Sequence, residues 1–154
     1  MDTKIHYDIE RIGTIFVDIQ RYIQDLEDLK ISQIQDLQDK RNFYAASMIL
    51  FFLLNRVFDL GSEITIAHNL GIPSTYREIF VMLRKNKCMD TDLATSMIGL
   101  VTYRNLLSHE YHGITEEKLF TLIHQINTIR DFVDIMQKKC RKKSRIKNNG
   151  FSFF

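Results

Sequence analysis

Seven apolar residues, Ile5, Ile9, Ile12, Phe16, Ile19, Ile23 and Leu26, recur in alternating steps of four and three along the first part of this 154-residue chain. That alternation is the seam of a long amphipathic helix lying nearly parallel to its neighbours. A helix with one apolar stripe cannot bury it alone, so the rest of the chain must supply helices to pack against.

The rest does so. Lys30 to Lys40 is polar with scattered Ile and Leu, a connection plus the first turns of a second helix. From Arg41 to about His68 a helix-length stretch is apolar on nearly all sides in its first half, with Phe43, Tyr44, Met48, Ile49, Phe51, Phe52 and Leu53. Such a helix belongs at the centre of a bundle or also faces another subunit. Asn55, Asp59 and Glu63 draw a polar line at i, i+4 and i+8 down its second half. A line like that is usually a solvated stripe, but inside a bundle it can face a site.

Gly71 with Ile72-Pro73 is the expected stop of this helix, and Thr75-Tyr76-Arg77-Glu78 has the spacing of a capping box opening a short helix to about Lys85. Asp90 can cap a fourth helix with Leu93, Met97, Leu100, Val101 and Leu107 inward. Gly113 breaks it, and Thr115 can cap a fifth helix running through Leu119, Leu122, Ile126, Ile129, Phe132 and Met136. One proline, six glycines and no strand pattern argue against a β protein. The expectation is all-α: an up-and-down four-helix bundle with one additional short helix, over residues 1–137.

Residues 138–154 stand apart. Seven of the 21 basic residues and no acidic one fall in this tail, leaving 14 basic against 19 acidic groups in the body. A cationic arm on an acidic body can reach for phosphates or can be a solvated end. Cys88 and Cys140 are too few for a disulfide framework and have no zinc-site spacing. The N-terminus lacks the apolar core of a signal peptide, and the longest uncharged run, Asn42 to Asn55, falls short of the ~20 residues a membrane helix needs. A cytoplasmic protein without membrane partner, metal or cofactor is the expectation.

The segment from Arg104 to Tyr111, Arg-Asn-Leu-Leu-Ser-His-Glu-Tyr, is where chemistry is expected. On a straight helix Arg104 and His109 would diverge by about 140°, and His109 and Tyr111 by about 200°. If the helix stops near Ser108, the following loop can swing His109 and Tyr111 back over the bundle end, with Asn105 placed to orient the imidazole. RNA carries its own nucleophile, the 2′-hydroxyl. Cleavage needs a base for that proton, a cation for the charge developing on phosphorus and an acid for the leaving 5′-oxygen. Histidine and arginine suit those roles without a metal. The competing reading is a helix C-terminus at which Arg104 and His109 merely complement the macrodipole, with Tyr111 packing its ring. His112 reads as a surface histidine, and His6, His68 and His124 have no partner pattern.

Arg, four residues, His, one residue, Tyr resembles the signature of HEPN ribonucleases, the polar residue after Arg included. More closely, the chain resembles HepT-type toxins of HepT/MntA (HEPN and minimal nucleotidyltransferase) toxin-antitoxin systems. The likeness spans the long first helix, Tyr44-Ala45-Ala46 leading to Asp59, the stretch from Pro73 to Phe80, and the motif itself. It implies a HEPN-like bundle forming a homodimer or higher even oligomer with a composite site. It also implies metal-independent RNA cleavage, with tRNA a candidate substrate, through Arg104, His109 and Tyr111, with Asn105 accessory. The implied partner is a minimal nucleotidyltransferase antitoxin that transfers AMP to Tyr111. The alternative is a non-catalytic HEPN module that binds such a nucleotidyltransferase. The basic tail, residues 138–154, which ends in Gly150-Phe151-Ser152-Phe153-Phe154, is not part of the resemblance.

Overall fold

The computed structural model describes residues 5–108 and 113–144, with side chains through 141. Its helices are α1 (Ile9–Asp28), α2 (Lys40–Ala67), α3 (Tyr76–Lys85), α4 (Thr91–Ser108), α5 (Glu116–Ile123) and α6 (Ile126–Ser144), with a short 3-10 turn at Ile34–Gln38 between α1 and α2. No strand occurs among the described residues. The fold is an all-α bundle, as the apolar periodicity requires.

Side-chain caps set most helix starts. Asp8 accepts the Arg11 N–H at 3.1 Å, so α1 begins at Ile9 and Ile5 lies ahead of the seam it was expected to open. Ile12, Ile15, Phe16, Ile19 and Leu26 are its buried face. Asp90 accepts the Leu93 N–H at 2.7 Å and starts α4. Thr75 accepts the Glu78 N–H at 3.1 Å, and the Glu78 carboxylate takes the N–H and hydroxyl of Ser74 and, more weakly, the Thr75 backbone N–H.

The stop of α2 has a different cause from the one expected. The turn after α2 is made by Asn69 at φ 55°, not by Gly71: Leu70 N–H reaches back to the Thr65 carbonyl and Asn69 N–H to Ile66. The same six-to-one closure ends α3, where Lys87 at φ 58° lets Cys88 N–H reach Leu83. Both are Schellman turns, and asparagine is the best non-glycine residue for the left-handed position.

The helix expected from Thr115 to Met136 is two helices. His124 turns its Nδ1 onto the Phe120 carbonyl at 2.9 Å, and its backbone N–H is shared between Phe120 and Thr121. The ladder is thereby closed, and α6 restarts after Gln125. α6 runs to Ser144, beyond the expected boundary at 137. Cys140 is buried there, its thiol pushed up to about 12 by desolvation.

α2 is the axis of the bundle and packs against every other helix. An edge-to-face chain of Phe58, Phe80 and Phe132 ties it to α3 and α6, with centroids 5.7 and 5.5 Å apart. Truncating a buried phenylalanine of this kind to alanine costs about 3–5 kcal/mol. At Gly61 the helices approach so closely that a Cβ would come within 2.6 Å of Ile79 Cγ2. By length and composition alone α2 could cross a bilayer, but its second half is core: Val57, Phe58, Leu60, Gly61, Ile64 and Thr65 are buried. Its first half is divided between the core and the surface. Leu50, Leu53 and Leu54 enter the core, while Tyr44, Met48 and Phe52 form an exposed stripe, and Val17 of α1 is also exposed.

Candidate active site around Arg104

Helical periodicity puts Arg104 on the side of α4 that meets α2 and the start of α3, and there it is half-buried. Its Nε donates to Asn55 Oδ1 on α2 at 3.0 Å. A terminal nitrogen, Nη1, lies 3.4 Å from Asn105 Oδ1. The guanidinium carbon sits 5.4 Å from the centre of the Phe51 ring and 4.9 Å from that of Tyr76. Both distances lie within cation–π range. Tyr76 is itself backed by Phe58, with ring centroids 4.9 Å apart. Beside this cluster a groove of about 560 Å³ opens between α2, residues 73–77 and α4, with Tyr76, Asn105 and Ser62 in its wall.

Of the residues expected to carry chemistry, the structure places Arg104 and Asn105. His109 and Tyr111 lie outside the described residues, as does His112, and α4 is described as far as Ser108. Asn105 is exposed, and among the described residues its side-chain oxygen faces Arg104; the imidazole it was expected to orient lies outside the described residues. No three His, Cys, Asp or Glu side chains cluster as a metal site would require among the described residues.

The polar line on α2 resolves into three separate roles. Asn55 holds Arg104, Asp59 pairs with Arg56 at 3.2 Å, and Glu63 pairs with Arg11 at 2.7 Å. Of the three, Asn55 is the one that bonds Arg104, while Asp59 also lines the neighbouring groove. Phe51 and Tyr76 were not anticipated. The available signal was Phe51 and Asn55 at i and i+4, an aromatic and an amide on one helix face. His68, which had no expected partner, bonds the Tyr7 hydroxyl at 2.6 Å, and burial holds that phenol well above its ordinary pKa.

A family model described as ribonuclease HepT-like matches residues 19–136. The mRNA nuclease HepT of Shewanella oneidensis is 23% identical over 130 residues, 84% of this chain and 87% of the relative. Among solved structures, the tri-AMPylated HEPN toxin of Shewanella oneidensis in complex with an MNT antitoxin superposes with a TM-score of 0.77 at 22% identity, covering 86% of this chain and 99% of that one. YutE of Bacillus subtilis, a cytosolic protein of unknown function, gives 0.77 at 18% identity over 96% and 98%. With a family match across most of the bundle and an arginine held at the first position of the expected motif, the chain belongs to the ribonuclease HepT-like family.

Proposed function

We propose that this protein is the toxin of a toxin-antitoxin pair: a metal-independent endoribonuclease that works in the cytoplasm as a homodimer. The observation that carries the reading is Arg104 of the Arg-x4-His-x-Tyr motif, half-buried in a family chain and held by groups without charge. In the proposed reaction His109 takes the proton of the 2′-hydroxyl, whose oxygen attacks the adjacent phosphorus. Arg104 stabilises the negative charge on the non-bridging oxygens, and the 5′-oxygen leaves with a proton. The products are a 2′,3′-cyclic phosphate and a 5′-hydroxyl. One chain offers one motif histidine, so base and acid both come to hand when two copies meet. The exposed Val17, Tyr44, Met48 and Phe52 supply apolar surface for such a meeting.

The proposed antitoxin is a minimal nucleotidyltransferase that places AMP on Tyr111, where a bulky anion would repel the RNA backbone. The AMPylated toxin-antitoxin complex of similar fold supports this part. RNA is the substrate class; the Shewanella relative named for mRNA makes mRNA a candidate beside tRNA. Incubating the purified protein with total RNA, mRNA and tRNA in EDTA decides the matter. Cleavage by wild type that His109→Ala abolishes is the expected result, and equal cleavage by both sinks the reading. The acidic body, 14 basic against 19 acidic groups before residue 138, favours one other reading, a non-catalytic module that binds the nucleotidyltransferase. A stable complex with RNA left intact would select it. AMP mapped by mass spectrometry to a residue other than Tyr111 would overturn the modification site.

A further inference from the structure

We propose that Asn55, with Phe51 and Tyr76, is a positioning device that fixes the Arg104 guanidinium so that its two terminal nitrogens form the edge offered to the scissile phosphate; this rests on the ribonuclease reading above. A guanidinium has two edges that can grip a phosphate in bidentate fashion, one between Nε and a terminal nitrogen and one between the two terminal nitrogens. The Asn55 amide oxygen occupies Nε at 3.0 Å and so spends the first edge. Phe51 and Tyr76 set the plane of the group by lying 5.4 and 4.9 Å from its carbon. Asn105, at 3.4 Å, makes only a long contact with Nη1 and leaves the terminal edge available.

The chemistry of the cradle matters as much as its shape. An amide and two rings hold a cation without cancelling it, and no carboxylate pairs with Arg104 among the described residues. The full positive charge is left for an anion. Three elements contribute, α2 with Phe51 and Asn55, the first residue of α3 with Tyr76, and α4 with Arg104 itself. The orientation is therefore a property of the packed bundle, and it exists before substrate arrives.

The test pairs a spectroscopic readout with kinetics on the full chain. In 15N-labelled protein the Arg104 Nε–H signal, assigned by its loss in Arg104→Lys, should exchange with water much more slowly than that of Arg41, whose side chain is 96% exposed. Asn55→Ala should abolish that protection and lower kcat on a short RNA about 10- to 100-fold with little change in KM. Asn55→Asp should restore the protected signal without restoring kcat to the wild-type level, because the carboxylate holds Nε but offsets the cation. Tyr76→Leu should lower kcat, and Tyr76→Phe should retain more of it. Fast exchange at Arg104 in wild type, or wild-type kcat in a folded Asn55→Ala, overturns the proposal. Wild type that leaves RNA intact sinks the ribonuclease reading instead, and Nε–H protection then decides the cradle alone.

Discussion

Arg56 on α2 and Arg104, which packs against α2 from α4, are both partly buried, and they are held in opposite ways. Arg56 joins α1 to α2 through carboxylates: a terminal nitrogen lies 2.7 Å from Asp18 and another 3.2 Å from Asp59. Burial works against its charge, and the hydrogen bonds to Asp18 and then Asp59 more than offset that, so its pKa lies above the ordinary value. Its charge is consumed inside the fold. Arg104 is gripped by Asn55, Phe51 and Tyr76, none of them ionised. A structural ion pair needs its counter-charge close by, whereas an anion-binding arginine needs to be rigid and still cationic. The partners chosen by each arginine thus distinguish a strut from a site more clearly than burial does.

The sharpest way to break that contrast is to keep the charge and remove the fork. Arg104→Lys loses the Nε–H and the planar face together, and kcat for RNA cleavage is expected to drop about 10²- to 10³-fold. Arg56→Lys should leave kcat at the wild-type level. Equal losses in the two variants would show that both arginines serve the fold alone.

Stability should separate them in the other direction. Arg56→Met takes the 2.7 Å partner from Asp18, whose side chain is only 15% exposed, and leaves it Arg21 at 3.3 Å; urea unfolding should report a loss of about 1–3 kcal/mol. Arg104→Met strands no carboxylate among the described residues and should cost less. A reversed order would mean that the Asn55 cradle, not the carboxylate knot, braces α2.

The smallest expected effect concerns acid. The Ser74 hydroxyl and then the Ser74 N–H donate to Glu78 and hold its carboxyl below the usual range. A carboxyl whose folded pKa lies below the unfolded one stabilises the fold above the unfolded value, near pH 4.3 for Glu, and loses that contribution as pH falls through the folded value. Glu78 sits in the first turn of α3, which also carries Tyr76. Thermal unfolding of Glu78→Gln should therefore show a shallower decline on acidification below about pH 4.3 than wild type. An unchanged acid limb would free the Tyr76 side of the cradle from this cap.

Much of the fold was legible in order of residues because its causes are local. The seam of α1, the caps at Thr75, Asp90 and Thr115, and the enclosed second half of α2 all follow from spacing within a few turns. The misreadings were also local, but they concerned competition. Gly71 looked like the better helix stop, yet Asn69 was already two residues past the last turn and could adopt the left-handed conformation. His124 carried no sign that its ring would take the Phe120 carbonyl and split one helix into two.

What the amino-acid order determined by itself is a helical bundle with an arginine near the end of its fourth helix, because helix period and capping act between neighbours in the chain. Tertiary structure alone decided what surrounds that arginine. Asn55 is 49 residues away from Arg104. No periodicity links residues at that distance; they meet because α4 packs on α2 in one register. The same packing brings Tyr76 over the guanidinium and sets Asp59 against Arg56 instead.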